Sequence, residues 1–261
     1  MKVLFLGNSH TYYNDMPQIF AEMCRERGKD VEVVMQAHPG VTYGWHLKQH
    51  TELRFALIHG GFDYIVMQQA AHSPCPAKEE TIADAKQIIA MARENGVVPI
   101  QTMPWAEKRD PAHQAEMYDI YRTLNKETGV KLTVAGNVFE EVFCHYPEID
   151  MYWRDGEHAS PYGSYTVALA AYAAIFGESV VGMSPNSYET FPVSDAAWTE
   201  ILQAREESEK NPTDESLRVK RRALVEKYVR AVNSKAEARF VLDEEKAAVL
   251  QQLVDRFAFC E

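Results

Sequence analysis

Val3-Leu4-Phe5-Leu6-Gly7-Asn8-Ser9-His10-Thr11 runs from four apolar residues into a glycine and a small polar cluster. Four apolar residues in a row fit a strand buried on both faces of a parallel sheet. The glycine ends the strand. Asn14-Asp15-Met16-Pro17 then reads as a helix start, with Asn14 or Asp15 as the cap and proline in the first turn. Strand, tight turn and helix lift one side chain off the carboxyl edge of a sheet, and Ser9 is the side chain so presented. Its backbone N–H and the nearby helix start would face a negative charge developing there. Taken alone, the stretch is also an ordinary junction, because serine and asparagine are common turn residues.

A second stretch, Asp155-Gly156-Glu157-His158, holds what a serine nucleophile needs. Acyl transfer from a hydroxyl takes a base to accept its proton and a carboxylate to hold that base in one tautomer. Ser9 would attack a carbonyl carbon, and His158 would take the proton and return it to the leaving alcohol. Asp155, three residues earlier in the same loop, would orient the imidazole. A surface loop histidine is the competing reading of His158, and its pairing with Ser9 argues against that.

Between these stretches strands and helices alternate. Met16, Ile19, Phe20 and Met23 fall at helical spacing, and Gly28 closes that helix. Further strands are expected at 31–35, 63–67, 97–101 and 130–134, the fourth weakened by Pro99. Helices are expected at 43–59 (one or two), 78–95, 112–128 and 161–176. This alternation implies an α/β fold, a three-layer α/β/α sandwich with a parallel sheet of about five strands. From residue 187 proline, serine and charged residues become common, and helices are expected at 195–209, 214–233 and 243–258. The expected division is a catalytic domain over 1–186 and a helical C-terminal extension over 187–261 packed on the same domain, with a lid or dimer contact as the alternative.

With Gly7-Asn8-Ser9-His10 near the start and Asp155-x-x-His158 later, the chain resembles the SGNH (GDSL-like) hydrolase superfamily. Its first block more often reads Gly-Asp-Ser, and its last is Asp-x-x-His. Gly40, in Ala37-His38-Pro39-Gly40, occupies the place of the second block, a single glycine. The third block, usually Gly-x-Asn-Asp, is absent, and Met67-Gln68-Gln69-Ala70-Ala71-His72 stands there. The resemblance covers about the first two-thirds of the chain. It implies the flavodoxin-like strand order 2-1-3-4-5, with a crevice beside the first strand. It also implies an oxyanion hole made by the Ser9 N–H, the Gly40 N–H and a side-chain amide. Gln69 carries such an amide, and His72 is the rival when the third block is aligned without a gap.

The reaction so implied is hydrolysis of small acyl esters, with an O-acetyl group on a carbohydrate as the favoured substrate. Trp45, Trp105 and Trp153 fall near loops bordering the crevice, and Trp105 and Trp153 are candidates for stacking on a sugar; the competing reading is that they pack the core or rim. A non-catalytic carbohydrate-binding relative, and a lipase or thioesterase with a longer acyl pocket, remain open alternatives.

The 261 residues are 46% hydrophobic, enough for a sizeable core. A net charge of −11 argues against nucleic acid and anionic membranes as partners. No apolar run approaches a membrane span. Met1-Lys2 leads directly into the first strand, so a signal peptide is not expected and the cytoplasm is. Cys24, Cys75, Cys144 and Cys260 show no paired spacing, which fits reduced thiols. His46 and His50 have the i, i+4 spacing of metal ligands but no accompanying glutamate or cysteines, so a surface helix face is the better reading and no metal is expected. The turn after the first strand lacks a phosphate-loop lysine and a Gly-x-Gly-x-x-Gly pattern, so no nucleotide cofactor is expected.

Overall fold

A computed structural model of the chain describes residues 1–48, 51–72 and 76–260; His50 and Cys75, noted above, lie outside them. Strand β1 (Lys2–Gly7) runs between β2 (Glu32–Ala37) and β3 (Tyr64–Met67), followed outward by β4 (Val98–Gln101) and β5 (Lys131–Leu132). All four pairings are parallel, in the order β2-β1-β3-β4-β5. Leu4 stands opposite Val34 on one side and Ile65 on the other. Leu4 and Leu6 enter a core with Ile65, Met67, Ile88 and Leu124, whereas Phe5 meets Phe20 edge-on at 5.3 Å. Burial on both faces is the reason this strand reads as a continuous apolar run rather than an alternating one.

Among the described residues, α1 (Ser9–Tyr12), α2 (Met16–Glu26), α3 (Tyr43–Lys48), α4 (Glu52–His59), α5 (Lys78–Glu94), α6 (His113–Thr128), α7 (Ala135–His145) and α8 (Pro161–Phe176) accompany the sheet. Residues of α3 to α6 share the core of Leu4 and Leu6, while α2, on the Phe5 side, lies against α8. Three layers result. Pro99 is accommodated because β5 pairs only with Ile100 and Gln101, so that ladder begins past the proline. The fifth strand is shorter than its sequence suggests, since α7 begins at Ala135 and Val134 already serves as its cap.

The expected start of the second helix needs correction. Neither Asn14 nor Asp15 caps it with its side chain; both have left-handed backbone conformations, and α1 already begins at Ser9.

The chain divides into two compact units, Met1–Tyr188 with Phe240–Glu261, and Glu189–Arg239. The first holds the sheet, α1 to α8, and β6 (Asn186–Tyr188). The second holds α9 (Asp195–Lys210), α10 (Glu215–Tyr228) and α11 (Lys235–Ala238). There Ser194 and Asp214 cap α9 and α10, and Tyr228 and Lys220 of α10 bond Glu200 and Glu207 of α9 at 2.9 and 2.7 Å. β7 (Arg239–Val241) pairs with β6 where the chain returns. The last helix, α12 (Glu244–Phe259), packs on α8 within the first unit through the buried face of Ala247, Leu250, Leu253 and Val254. Composition alone grouped it with α9 and α10. Among the described residues no helix is long and apolar enough to cross a membrane.

Candidate active site

At the carboxyl end of β1 a Cβ on Gly7 would stand 2.3 Å from Thr11 Oγ1 and 3.1 Å from the Gln68 carbonyl oxygen. Only glycine lets the turn into α1 approach the end of β3 so closely. Asn8 then caps α1, its Oδ1 accepting from the His10 N–H at 3.1 Å and its Nδ2 donating to the Val41 carbonyl at 3.1 Å. An aspartate could cap equally well but could not donate, so the amide ties the Ser9 turn to the loop after β2. His46 adds a bond from Nε2 to the Gly7 carbonyl at 2.9 Å and is buried. It therefore supports the turn from beneath and is no part of a surface helix face.

Ser9 opens α1, and its hydroxyl lies 2.7 Å from His158 Nε2. His158 Nδ1 lies 2.6 Å from Asp155 Oδ2. The other carboxylate oxygen, Oδ1, accepts from the N–H groups of Glu157 at 2.8 Å and His158 at 3.0 Å. Burial opposes ionisation of Asp155, but the bond to and charge of His158, with these two N–H donors, hold its carboxyl below its ordinary value. With Asp155 ionised, the proton sits on Nδ1, and Nε2 is free to accept from the serine hydroxyl. The hydroxyl of Tyr12, raised by burial and drawn partly back by its hydrogen bond with Ser9, borders the nucleophile.

The turn that carries Asp155 and His158 is held at several points. Gly156 takes φ +75°, and its N–H donates to the Trp153 carbonyl at 2.9 Å. The Trp153 N–H donates to the His158 carbonyl at 2.7 Å, and the Trp105 indole N–H donates to the Glu157 carbonyl at 2.9 Å. Two rings lie nearly parallel to the imidazole of His158, Tyr13 at 4.0 Å and His10 at 4.8 Å between centroids. Burial first, and then the neighbouring charges of His158 and His72, hold His10 neutral by lowering it well below its ordinary value. Neither ring entered the sequence reading, although a histidine and two tyrosines crowd the four residues after Ser9.

The oxyanion candidates are less uniform. Gly40 has φ +64° with open space where a Cβ would be, so the glycine answers a backbone requirement and not a close approach. Gln69 is buried; its Oε1 accepts from the N–H groups of Tyr43 at 2.8 Å and Ala70 at 3.0 Å, while Nε2 has no partner among the described residues. His72 gives Nε2 to the Trp105 carbonyl at 2.9 Å, while its Nδ1 is buried and has no partner among the described residues. Burial lowers its pKa, and a neutral imidazole donating from Nε2 has only a lone pair at Nδ1. That arrangement makes His72 a poor donor to an anion.

The stacking role expected for Trp105 and Trp153 is overturned. Trp105 is 1% exposed and stacked on Phe139 at 4.4 Å; Trp153 is 7% exposed and meets Tyr13 edge-on. Neither offers a free face to a sugar ring, and both brace the His158 turn. Trp45 is half-buried beside His38 and His46. Among the described residues, no group of three His, Cys, Asp or Glu side chains is placed to hold a metal ion, and Cys24, Cys144 and Cys260 are free thiols.

No family model matches the sequence, and no curated protein matches it. Solved structures do. A candidate SGNH hydrolase from Slackia heliotrinireducens superposes with a TM-score of 0.60 at 23% identity, covering 67% of this chain and 98% of that one. The fold is that of the SGNH hydrolases. A lipase/acylhydrolase from Enterococcus faecalis (TM-score 0.56, 15% identity, 67% of this chain and 95% of that one) shares it. So does the acetyl xylan esterase AlAXEase (0.53, 16%, 67% and 100%). These neighbours are covered almost whole, so about a third of this chain lies outside the shared SGNH fold.

Proposed function

We propose that this chain is a serine esterase of SGNH type acting on small acyl esters. The observation that carries this reading is the continuous line Ser9 Oγ, His158 Nε2, His158 Nδ1, Asp155 Oδ2, with spacings of 2.7 and 2.6 Å. In this mechanism the Ser9 oxygen attacks the carbonyl carbon as its proton passes to His158 Nε2. The tetrahedral intermediate collapses to an acyl-serine, and the same proton leaves with the alcohol. Water then repeats the sequence, freeing the acid. The Ser9 N–H, the Gly40 N–H and the Gln69 amide are the proposed donors to the oxyanion, and the orphaned Gln69 Nε2 supports that role. All of these residues belong to the first compact unit, the proposed catalytic domain.

Acetyl is the proposed acyl group, on a carbohydrate alcohol in the favoured case. Support for the sugar comes from the acetyl xylan esterase neighbour, since the buried tryptophans no longer supply it. The test is labelling with a fluorophosphonate, which reacts only with an activated serine, beside a chain-length series of nitrophenyl esters. Labelling lost in Ser9→Ala, with rates falling beyond acetyl and propionyl, is the expected result. A maximum at octanoyl or longer would replace the acetylesterase reading with a lipase or thioesterase. An unlabelled wild-type protein would leave a binding module.

A further inference from the structure

The link between α1 and α2 has a conformation that its side chains disfavour. Asn14 (φ 56°) and Asp15 (φ 48°) are consecutive left-handed residues, and neither is glycine. Such residues persist where their surroundings hold them, and they gather at functional sites. Asn14 is fully buried. Its Nδ2 donates to the Ala159 carbonyl and to the Ser164 hydroxyl, both at 2.9 Å. The Ser164 hydroxyl in turn donates to the Tyr13 carbonyl at 3.3 Å. Ala159 follows His158 directly, and Ser164 lies in the helix that follows the His158 turn. One asparagine thus fastens the nucleophile's segment to the base's segment, across 145 residues of chain.

Tyr13 directly precedes that strained link. Its ring lies 4.0 Å from the imidazole of His158 at 15°, and its edge contact with Trp153 reaches the residue whose N–H holds the His158 carbonyl. The bonds to Ser9 and Asp155 fix the two ring nitrogens of His158 but do not by themselves stop the ring tilting about the line between them. The parallel rings of Tyr13 and His10 oppose that tilt, and Tyr13 is the nearer, at 4.0 Å against 4.8 Å.

We propose that Tyr13 and Asn14 are positioning residues for His158, the strained link locking the plane of the imidazole against Ser9. The proposal rests on the esterase reading of the site. Its test compares the wild-type chain with Asn14→Gly, which keeps the left-handed backbone and removes the amide, and with Tyr13→Leu and Tyr13→Phe. Four quantities are read: kcat and KM on nitrophenyl acetate, the thermal midpoint, and the low-field proton resonance of the His158 Nδ1–H. Asn14→Gly and Tyr13→Leu should stay folded at the assay temperature, with kcat lowered about 100-fold, KM little changed and the resonance broadened or lost. Tyr13→Phe, which keeps the planar ring, should restore most of what Tyr13→Leu loses.

A folded Asn14→Gly with wild-type kcat and an unshifted resonance overturns the proposal, as does Tyr13→Phe damaged as much as Tyr13→Leu. If Asn14→Gly does not fold, the Tyr13 pair decides by the same criteria. A wild-type protein without esterase activity removes the esterase reading, while the resonance, which needs no turnover, still reports whether the link holds the imidazole.

Discussion

The Asp155–His158 turn meets Ser9 and the Gln68–His72 stretch meets its neighbours Gly7 and His10, and the two treat their polar atoms in opposite ways. In the turn both carboxylate oxygens of Asp155 are bonded, both ring nitrogens of His158 are bonded, and the carbonyls of Glu157 and His158 accept from Trp105 and Trp153. In the other stretch both ends of the Gln68 amide, Nε2 of Gln69 and Nδ1 of His72 are buried with no partner among the described residues. Leaving a buried polar group unpaired is costly, so satisfied networks hold a geometry and unsatisfied ones mark where a ligand or water belongs. The difference suits the two proposed tasks: a base aimed before substrate arrives and, at Gln69 Nε2, an oxyanion donor that only the intermediate would satisfy.

The largest expected effect comes from breaking the satisfied side. Ser9→Ala and His158→Ala should each lower kcat by about 10⁶-fold on nitrophenyl acetate, and the double variant should be hardly worse, since the two act as a unit. Additive losses, or wild-type rates in Ser9→Ala, would dissolve the pairing. Next is the unsatisfied side: Gln69→Ala should lower kcat about 100- to 1000-fold with KM little changed, because its amide would act on the transition state. His72→Ala should do much less, as its Nε2 already serves the Trp105 carbonyl. The reverse ranking would move the donor to His72.

Smaller effects sharpen the contrast. Trp105→Phe keeps the ring against Phe139 but leaves the Glu157 carbonyl without its donor, which should cost about 1–3 kcal/mol in urea unfolding. KM for acetylated sugars should not change, and a selective rise would return Trp105 to substrate binding. The last test is pH. Asp155 is held below its ordinary value, so its contribution is complete above the unfolded pKa of about 3.9 and is lost as pH falls through the folded value. The stability gap between wild type and Asp155→Asn should therefore be constant near neutrality and shrink in acid. A gap that persists unchanged to about pH 2 would mean that the ionised carboxylate is not what stabilises the turn.

Much of this was legible in one dimension because it follows from local rules. A run buried on two faces announces itself as Val3–Leu6, and the glycine that ends it is required because Thr11 and the Gln68 carbonyl crowd the place a Cβ would take. The strand–helix alternation carried the layer architecture. Ser9 and the Asp155–His158 pair stood out because their chemistry needs those residue types. The misreadings share a cause. Trp105 and Trp153 lie on loops, where exposure is the default, yet both are buried under the turn they brace. His46 has the spacing of a surface ligand but points inward to a carbonyl. Asn14 looks like a helix cap, and its amide is instead claimed by Ala159 and Ser164.

By itself, then, the sequence determined the three-layer α/β/α fold, the candidate nucleophile and the acid–base pair proposed to serve it, since periodicity and residue chemistry act over a few neighbours. Only the tertiary structure decided which aromatic rings face the imidazole, which amide lacks a partner among the described residues and which helix returns to pack on α8. Those outcomes depend on contacts between residues far apart in the chain, such as Tyr13 with His158 and α12 with α8, and no local pattern encodes the distance at which such groups meet.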